Sequence, residues 1–451
     1  MRTTRRALEP LGEGSIFLSQ RGRSHSAHNG AQWRSAEANT PIPLFQKTVP
    51  RLTPDQLLEE LSGVDDLLIV QDLDGVCMQL VKDPLTRQLD RSYVSAAAQL
   101  EGHFMVLTNG EHEGRRGVNR LVEAALGDCS KPQREGLYLP GLAAGGVQFQ
   151  DRFGQLHHPG VSAEELAFLS AAPKRMEALL LERLPQVLPN CPSADIQHLA
   201  NTAVLDTQVS PTINLNGVFE RIPTDVSGQR AVQTMLNELM QQLLNEACVA
   251  GLRNSFFLHV APNLGRDPSG FERLKPSTAG DVGSTDIQFM LTGSIKEAGL
   301  LVLINQHVAR RHGTAPFGET FNVRTAPNDA DELLQLAKDR VPAEQMPLLV
   351  GVGDTVTSTQ ASDGSQWLRG GSDRGFLTLL QELGCWCGQS NRVVLVDSSH
   401  GEVDRPSLAE GRLDGISDPE DPLQLNVLMH NGPTQYIAWF QELANRRQRK
   451  A

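Results

Sequence analysis

Three aspartates, a threonine and a lysine carry the reactive groups of this chain: Asp72 and Asp74 in Asp72-Leu73-Asp74-Gly75, Thr108 in Thr108-Asn109-Gly110, Lys296, and Asp354 after Gly353. Residues 67–70 form a short apolar run that stops at the first pair of acids, the pattern of a buried strand opening into a carboxylate-bearing loop. Alternate residues of an extended chain face the same way, so Asp72 and Asp74 can act on one substrate atom while Leu73 turns back to the core. Gly75 permits the sharp turn that follows. An isolated Asp-x-Asp-Gly is also what a strand-end turn with an amide-capping Asp looks like, and the matching stretches downstream are what distinguish this one.

Those groups suit hydrolysis of a phosphate monoester. A carboxylate can attack phosphorus and form an acyl-phosphate, which splits one slow displacement into two faster ones. The acid two residues on can protonate the leaving oxygen and later take a proton from the attacking water. Crowded carboxylates repel a phosphate, so a divalent cation is required, and hard oxygen ligands favour Mg²⁺. Lys296 and the Thr108 hydroxyl can hold the equatorial oxygens, where transition-state charge spreads.

The elements that must position these groups alternate between strand and helix. Residues 67–70 and 104–107 read as buried strands joined through a helix over 92–100, which makes them a parallel pair and brings Thr108 to the same sheet edge as Asp72. In such α/β sheets ligands bind outside the carboxyl ends of the strands. A third apolar strand, 348–353, delivers Asp354 to that edge, and 393–396 is a fourth. Helices are expected over 53–61, 117–126, 297–311, 330–338, 376–383 and 433–446, and a hairpin over 145–154. Arg310, Arg311 and His312 fall at the negative pole of their helix, where cations are favoured. Between residues 161 and 281 the pattern changes to helices (164–169, 174–184, 231–247) mixed with strand-like runs (204–209, 256–260), an α+β insertion read as a lid. Strand character over 286–290 is taken as the return to the core. The expected domains are therefore an N-terminal arm (1–50), an α/β core (51–160 and 282–451) and an inserted cap (161–281).

The chain of 451 residues carries a formal net charge of −12, which argues against a nucleic-acid binder because such proteins need a basic surface to displace counterions. Six cysteines scattered over the chain make no disulfide framework and point to a reducing, cytoplasmic setting. Cys385-Trp386-Cys387 lacks the second pair or His cluster of a metal site and reads as packing. No apolar run reaches membrane-spanning length and no apolar signal core stands at the start, so no membrane partner is expected. Residues 1–50 are rich in Arg, Ser, Gly and Asn without apolar periodicity, the composition of a disordered arm. Their resemblance to a transit peptide is weakened by Glu9, Glu13 and Glu37.

In the order and strand-end placement of these motifs the chain resembles the haloacid-dehalogenase-like phosphatases. Asp72-Leu73-Asp74-Gly75 is similar to their first motif, Leu107-Thr108-Asn109-Gly110 to the second, Lys296 to the third and Gly353-Asp354 to the fourth. The resemblance implies a Rossmann-like parallel-sheet core of the haloacid-dehalogenase type with an inserted α+β cap. It implies Asp72, Asp74, Thr108 and Lys296 as catalytic groups, and Asp72, Asp74 and Asp354 as Mg²⁺ ligands. The usual second acid four residues after Asp354 is replaced by Ser358; Asp373 resembles that acid displaced by an insertion, and Asp363 is the alternative. Lys296 fits the third motif better than Lys338, which falls late in its helix. From residue 67 onward, with Gln71 to Met78 and Val81-Lys82-Asp83-Pro84-Leu85-Thr86-Arg87, the chain further resembles the glucosylglycerol-phosphate phosphatases, the salt-tolerance phosphatases of cyanobacteria. That implies a sugar-phosphate substrate, 2-O-(α-glucosyl)glycerol 3-phosphate, hydrolysis to an osmoprotectant, and the synthase that makes this phosphate as a candidate partner. Another sugar-phosphate phosphatase, a phosphomutase and a non-catalytic phosphosugar-binding protein share the same core residues. Because residues 1–50 hold none of the reacting groups, their deletion is expected to leave melting temperature and turnover essentially unchanged, which a thermal melt and a phosphate-release assay on the truncated chain check.

Overall fold

The computed structural model describes residues 51–361 and 363–450; the expected N-terminal arm lies outside them. The chain enters through the helix Pro54–Leu61, closed by a Thr53–Gln56 capping box, and then forms β1 (Leu67–Gln71), β2 (Phe104–Leu107), β3 (Gly141–Ala143), β4 (Gln148–Gln150) and β5 (Leu156–His157). The insertion contributes β6 (Val204–Leu205), β7 (Thr212–Asn214), β8 (Phe256–Ala261), β9 (Asn263–Arg266), β10 (Glu272–Leu274) and β11 (Asp286–Leu291). The chain then returns with β12 (Leu348–Gly353), β13 (Thr357–Gln360), β14 (Trp367–Gly370), β15 (Arg392–Val396) and β16 (Val427–Met429).

The core sheet has the order β16-β15-β12-β1-β2-β3-β4-β5. Its members from β16 to β3 are parallel, and β4 and β5 extend it antiparallel. β1 lies at the centre, between β12 (Ile69↔Val350) and β2 (Ile69↔Phe104). Both faces of this sheet are covered, which explains why its central strands run apolar without alternation. Leu68 and Val70 pack on one side with the helices Lys296–His312 and Arg374–Cys387; Leu67 and Ile69 pack on the other with Arg91–Gln99 and Gly432–Lys450. β15 divides the same way, Val393 and Leu395 to one side, Val394 and Val396 to the other.

The insertion builds a four-stranded antiparallel sheet, β6-β7-β11-β8, backed by the helices Ala163–Val187 and Val226–Val249. Three local expectations change here. Strand β11 was expected in the core, but it pairs with β7 and β8, so the cap sheet continues past residue 281 to Leu291; a short apolar run carries no mark of which sheet it joins. The two helices expected over 164–169 and 174–184 are one 25-residue helix that passes through Pro173, because packing against Val226–Val249 outweighs the hydrogen bond that proline removes. Of the strand expected over 204–209 only β6 forms, and the backbone beyond it turns toward the core. The expected hairpin closes instead between β4 and β5, around Asp151 to Gln155.

Arg311 pairs with Asp65 (2.5 Å) and Asp66 (3.2 Å) just before β1, the sheet edge opposite the acids. Cys387 is half-buried at its helix end but Cys385 is exposed, so packing accounts for only one of the pair. Among the described residues no helix is long and apolar enough to cross a membrane.

One polar group is buried in the central strand. Gln71 donates from Nε2 to Tyr93 Oη (2.7 Å) and accepts at Oε1 from the Tyr436 hydroxyl (2.6 Å), tying β1 to a cluster in which Tyr93 stacks on Phe440 (centroids 5.1 Å apart) and Phe104 meets both rings edge-on (6.4 and 5.2 Å). Tyr436→Phe leaves the Gln71 carbonyl unpaired in the core, so it is expected to cost about 1–3 kcal/mol of stability, measured as a lower urea midpoint at unchanged slope.

Candidate active site

Parallel pairing of β12, β1 and β2 delivers Asp354, Asp72 and Thr108 to one sheet edge. The ladder continues into the loops, with Asp72 N–H donating to Val352 O (3.0 Å) and Thr108 N–H to Leu142 O (3.0 Å). Lys296 is the first residue of the helix that follows the cap sheet. Its ammonium is buried between two carboxylates, 2.7 Å from Asp72 Oδ2 and 2.6 Å from Asp373 Oδ1. The remaining oxygens are held too. Asp72 Oδ1 accepts from Leu73 N–H (2.8 Å), and Asp373 Oδ2 accepts the N–H groups of Asp354 and Thr355 (2.9 Å each).

Of the two acids left open for the fourth motif, the structure brings Asp373 into the site and leaves Asp363 outside. Asp373 stands at the N-cap position of Arg374–Cys387 but makes no side-chain cap bond; its carboxylate is spent on Lys296 and the loop that presents Asp354. Asp363 is exposed at the tip of the β13–β14 hairpin, where it binds Ser365. That hairpin occupies the stretch expected to be an insertion. Ser358, in β13, gives its hydroxyl to Asp418 (2.5 Å).

Burial and mutual repulsion govern the acids. Desolvation pushes the Asp72 carboxyl up to about 6, with Lys296 opposing and Asp373 adding to the rise. Burial, then Asp373 and Asp72, push Asp354 up to about 8. Burial would lower Lys296, but Asp373 and Asp72 outweigh it and hold the ammonium above its ordinary range. One ammonium among three acids leaves a deficit of positive charge. Oxygens of Asp72, Asp354 and Asp373 all lie within 4.8 Å of one another, and Asp354 Oδ2 is buried without a hydrogen-bond partner. An orphaned carboxylate oxygen in a hard-oxygen cluster of that span fits a divalent cation bonded at about 2.1–2.6 Å.

Asp74 is set apart from that cluster. Arg87 Nη1 bonds both its oxygens (3.0 and 2.8 Å) and the guanidinium is anchored to the carbonyls of Pro84 and Arg116. Asp74 faces the same cavity of about 200 Å³ as Asp72, Thr108 and Asp354. Sequence reasoning gave no role to Arg87 or to three other contributors. Glu111, just past Thr108, is buried and accepts the N–H groups of Gln208, Val209 and Ser210 and the Ser210 hydroxyl at 2.8–2.9 Å, fastening the cap loop to the core. Asn109 meets His259 of the cap (2.9 Å), which Glu272 holds from behind. Arg405, from a loop after β15, lines the cavity with its Nε unpartnered. Nothing in local periodicity marks these groups; Glu111 and Asn109 act across the seam between core and cap, and Arg87 acts within the core.

The profile of the glucosylglycerol-phosphate phosphatase family matches residues 66–444, which spans both parts of the core and the insertion between them. The chain belongs to this family. A glucosylglycerol-phosphate phosphatase of Synechocystis sp. is 47% identical over 400 residues, covering 86% of this chain and 95% of that protein. Among solved structures, the C-terminal domain of the trehalose-6-phosphate phosphatase of C. albicans matches with 12% identity, TM-score 0.42, over 88% of this chain and 98% of its own. That of Aspergillus fumigatus matches with 10% identity, TM-score 0.36, over 88% and 99%. The family's members are phosphoric monoester hydrolases, and the core is a mostly parallel sheet covered by helices on both faces.

Gly75 offers a local test of the site's geometry. It holds φ +78° and a Cβ there would lie 2.3 Å from Asp354 Oδ2. Gly114 holds φ +86° with open space around it. Both alanine variants bear a left-handed backbone penalty of about 1–2 kcal/mol, but only Gly75→Ala is expected to abolish phosphate release, since it alone displaces Asp354. Activity and melting temperature measured on the two variants side by side decide this.

Proposed function

We propose that the chain hydrolyses 2-O-(α-glucosyl)glycerol 3-phosphate to glucosylglycerol and phosphate through a Mg²⁺-assisted aspartyl-phosphate, supplying a compatible solute in the cytoplasm, with the synthase that makes this phosphate as its expected partner. The observation that carries the chemistry is Lys296 buried between Asp72 and Asp373 beside the unpaired Asp354 oxygen. The substrate rests on the family and on the 47% identical relative, whose name states it.

Asp72 is the nucleophile. Its Oδ bonds to phosphorus as the bond from phosphorus to the ester oxygen breaks, and that oxygen leaves with a proton from Asp74. In the second half Asp74 takes a proton from water, which attacks the same phosphorus and frees Asp72. Arg87 fixes Asp74 from behind while leaving each oxygen a lone pair for this work. Lys296 and Thr108 hold the phosphoryl oxygens, and a single such donor is worth about 3 kcal/mol in the transition state. Asp72, the Asp74 carbonyl oxygen and Asp354, with Asp373 in support, would hold a Mg²⁺ ion, which would supply positive charge to the phosphoryl oxygens. Asp373, both oxygens engaged, chiefly orients Lys296 and the Asp354 loop.

Asp72→Asn removes the nucleophile with almost no change in shape, so turnover should vanish while the melting temperature stays near wild type. Retained phosphate release in a folded Asp72→Asn protein would refute the assignment. Chelation should silence the enzyme and added Mg²⁺ restore it. Asp354→Ala should raise the Mg²⁺ concentration needed for half-maximal rate, whereas Asp363→Ala should not; titrating Mg²⁺ against the initial rate of each variant separates them.

A further inference from the structure

The cap sheet turns its polar face to the catalytic groups. β7 and β11 pair with Asn214 opposite Asp286 and Thr212 opposite Gln288, so these four side chains share one face, while Ile213 and Ile287 between them point into the cap core. The four line the cavity that also holds Asp72, Thr108 and Asp354. His259 of β8, opposite Gln288, belongs to the same row but is taken up by Asn109 and Glu272.

Two members of this row have acceptor capacity the protein does not use. Gln288 Oε1 is buried with no hydrogen-bond partner, a state that destabilises a fold and is seldom kept without a purpose. Asp286 accepts one bond at each oxygen, from Asn214 Nδ2 (2.8 Å) and Thr285 Oγ1 (2.7 Å), and a carboxylate oxygen can accept a second. A phosphoryl group would be repelled by Asp286 and finds its donors at Lys296 and Thr108. An uncharged, hydroxyl-rich group supplies what Gln288 and Asp286 lack, O–H donors.

We propose that Gln288 and Asp286 are the residues that select the leaving group, accepting hydrogen bonds from hydroxyls of its neutral sugar portion while the core holds the phosphate. This rests on the glycosylated substrate proposed above. Gln288 is the cleaner probe, because its side-chain carbonyl holds nothing in the protein together and Gln288→Leu removes the acceptor without breaking an internal bond.

The test compares kcat/KM of the full-length, Mg²⁺-loaded enzyme on glucosylglycerol 3-phosphate and on glycerol 3-phosphate. Gln288→Leu should lower the ratio of the two efficiencies by about tenfold or more, through a loss on the glycoside that glycerol 3-phosphate does not share. Its melting temperature should equal or exceed that of wild type. Asp286→Asn should shift the ratio in the same direction. If both variants fold and keep the wild-type ratio within about twofold, the assignment is wrong. If the unaltered enzyme uses both compounds equally well, the substrate reading fails and the assignment with it, so the two failures are told apart by the wild-type ratio alone.

Discussion

A single buried ammonium holds three distant pieces of chain in register. Lys296 bonds Asp72 at the end of β1 and Asp373 at the head of the helix Arg374–Cys387, and Asp373 in turn takes the two amides that shape the Asp354 loop. Removing the ammonium would leave both acids uncompensated, a loss that typically costs about 3–5 kcal/mol in a buried charge set. The arrangement therefore works only as a whole. It also sets close packing behind it, since a Cβ on Gly353 would fall 2.6 Å from Asp373 Oδ2.

Only residues 292–295 separate the same lysine from the cap strand that carries Asp286 and Gln288. From β11 the backbone passes through the turn at Gly293 and enters the helix at Lys296, so leaving-group recognition and phosphoryl binding share one short segment. A second tie runs through the loop after β2, which presents Thr108 and then sends Glu111 to collect three amides of the cap. Burial raises the Glu111 carboxyl even against those bonds, which marks how completely this seam excludes water. The cap is thus fastened to the core beside both Thr108 and Lys296.

Much of this was legible from the residues for a physical reason. Strands β1, β2, β12 and β15 are buried on both faces, so they read as apolar runs, and the acid or hydroxyl that ends each run stands out against them. Lys296 was legible as a basic residue opening a strongly apolar helix. Asp373 was only one of two choices because the polar β13–β14 hairpin, Thr-Ser-Thr-Gln on its first arm, separates it from Asp354 by 19 residues and looks like loop. The cap boundary was misplaced because residues 286–290 read as a strand but carry no mark of which sheet they join. Arg87, Glu111 and Arg405 left no trace because their meaning is set by partners across the fold.

An enzyme of formal net charge −12 must still attract an anion. Exposed charges farther than about 8–10 Å away are largely screened at physiological ionic strength, so the sign of the whole chain matters less than the charges that line the cavity. On the core side the arginines 87, 116 and 405 line the cavity, and Lys296 stands against Asp72. Three of these cations are already balanced, by Asp72 and Asp373, by Asp74 and by Asp206. Those pairings hold each cation in place without supplying net positive charge. The remaining attraction falls to Arg405, whose Nη1 meets only the Asp404 carbonyl, and to a divalent cation at the acid cluster. Phosphate binding and cation binding would thereby be coupled in the proposed reaction: without a cation, the clustered acids would repel a phosphate.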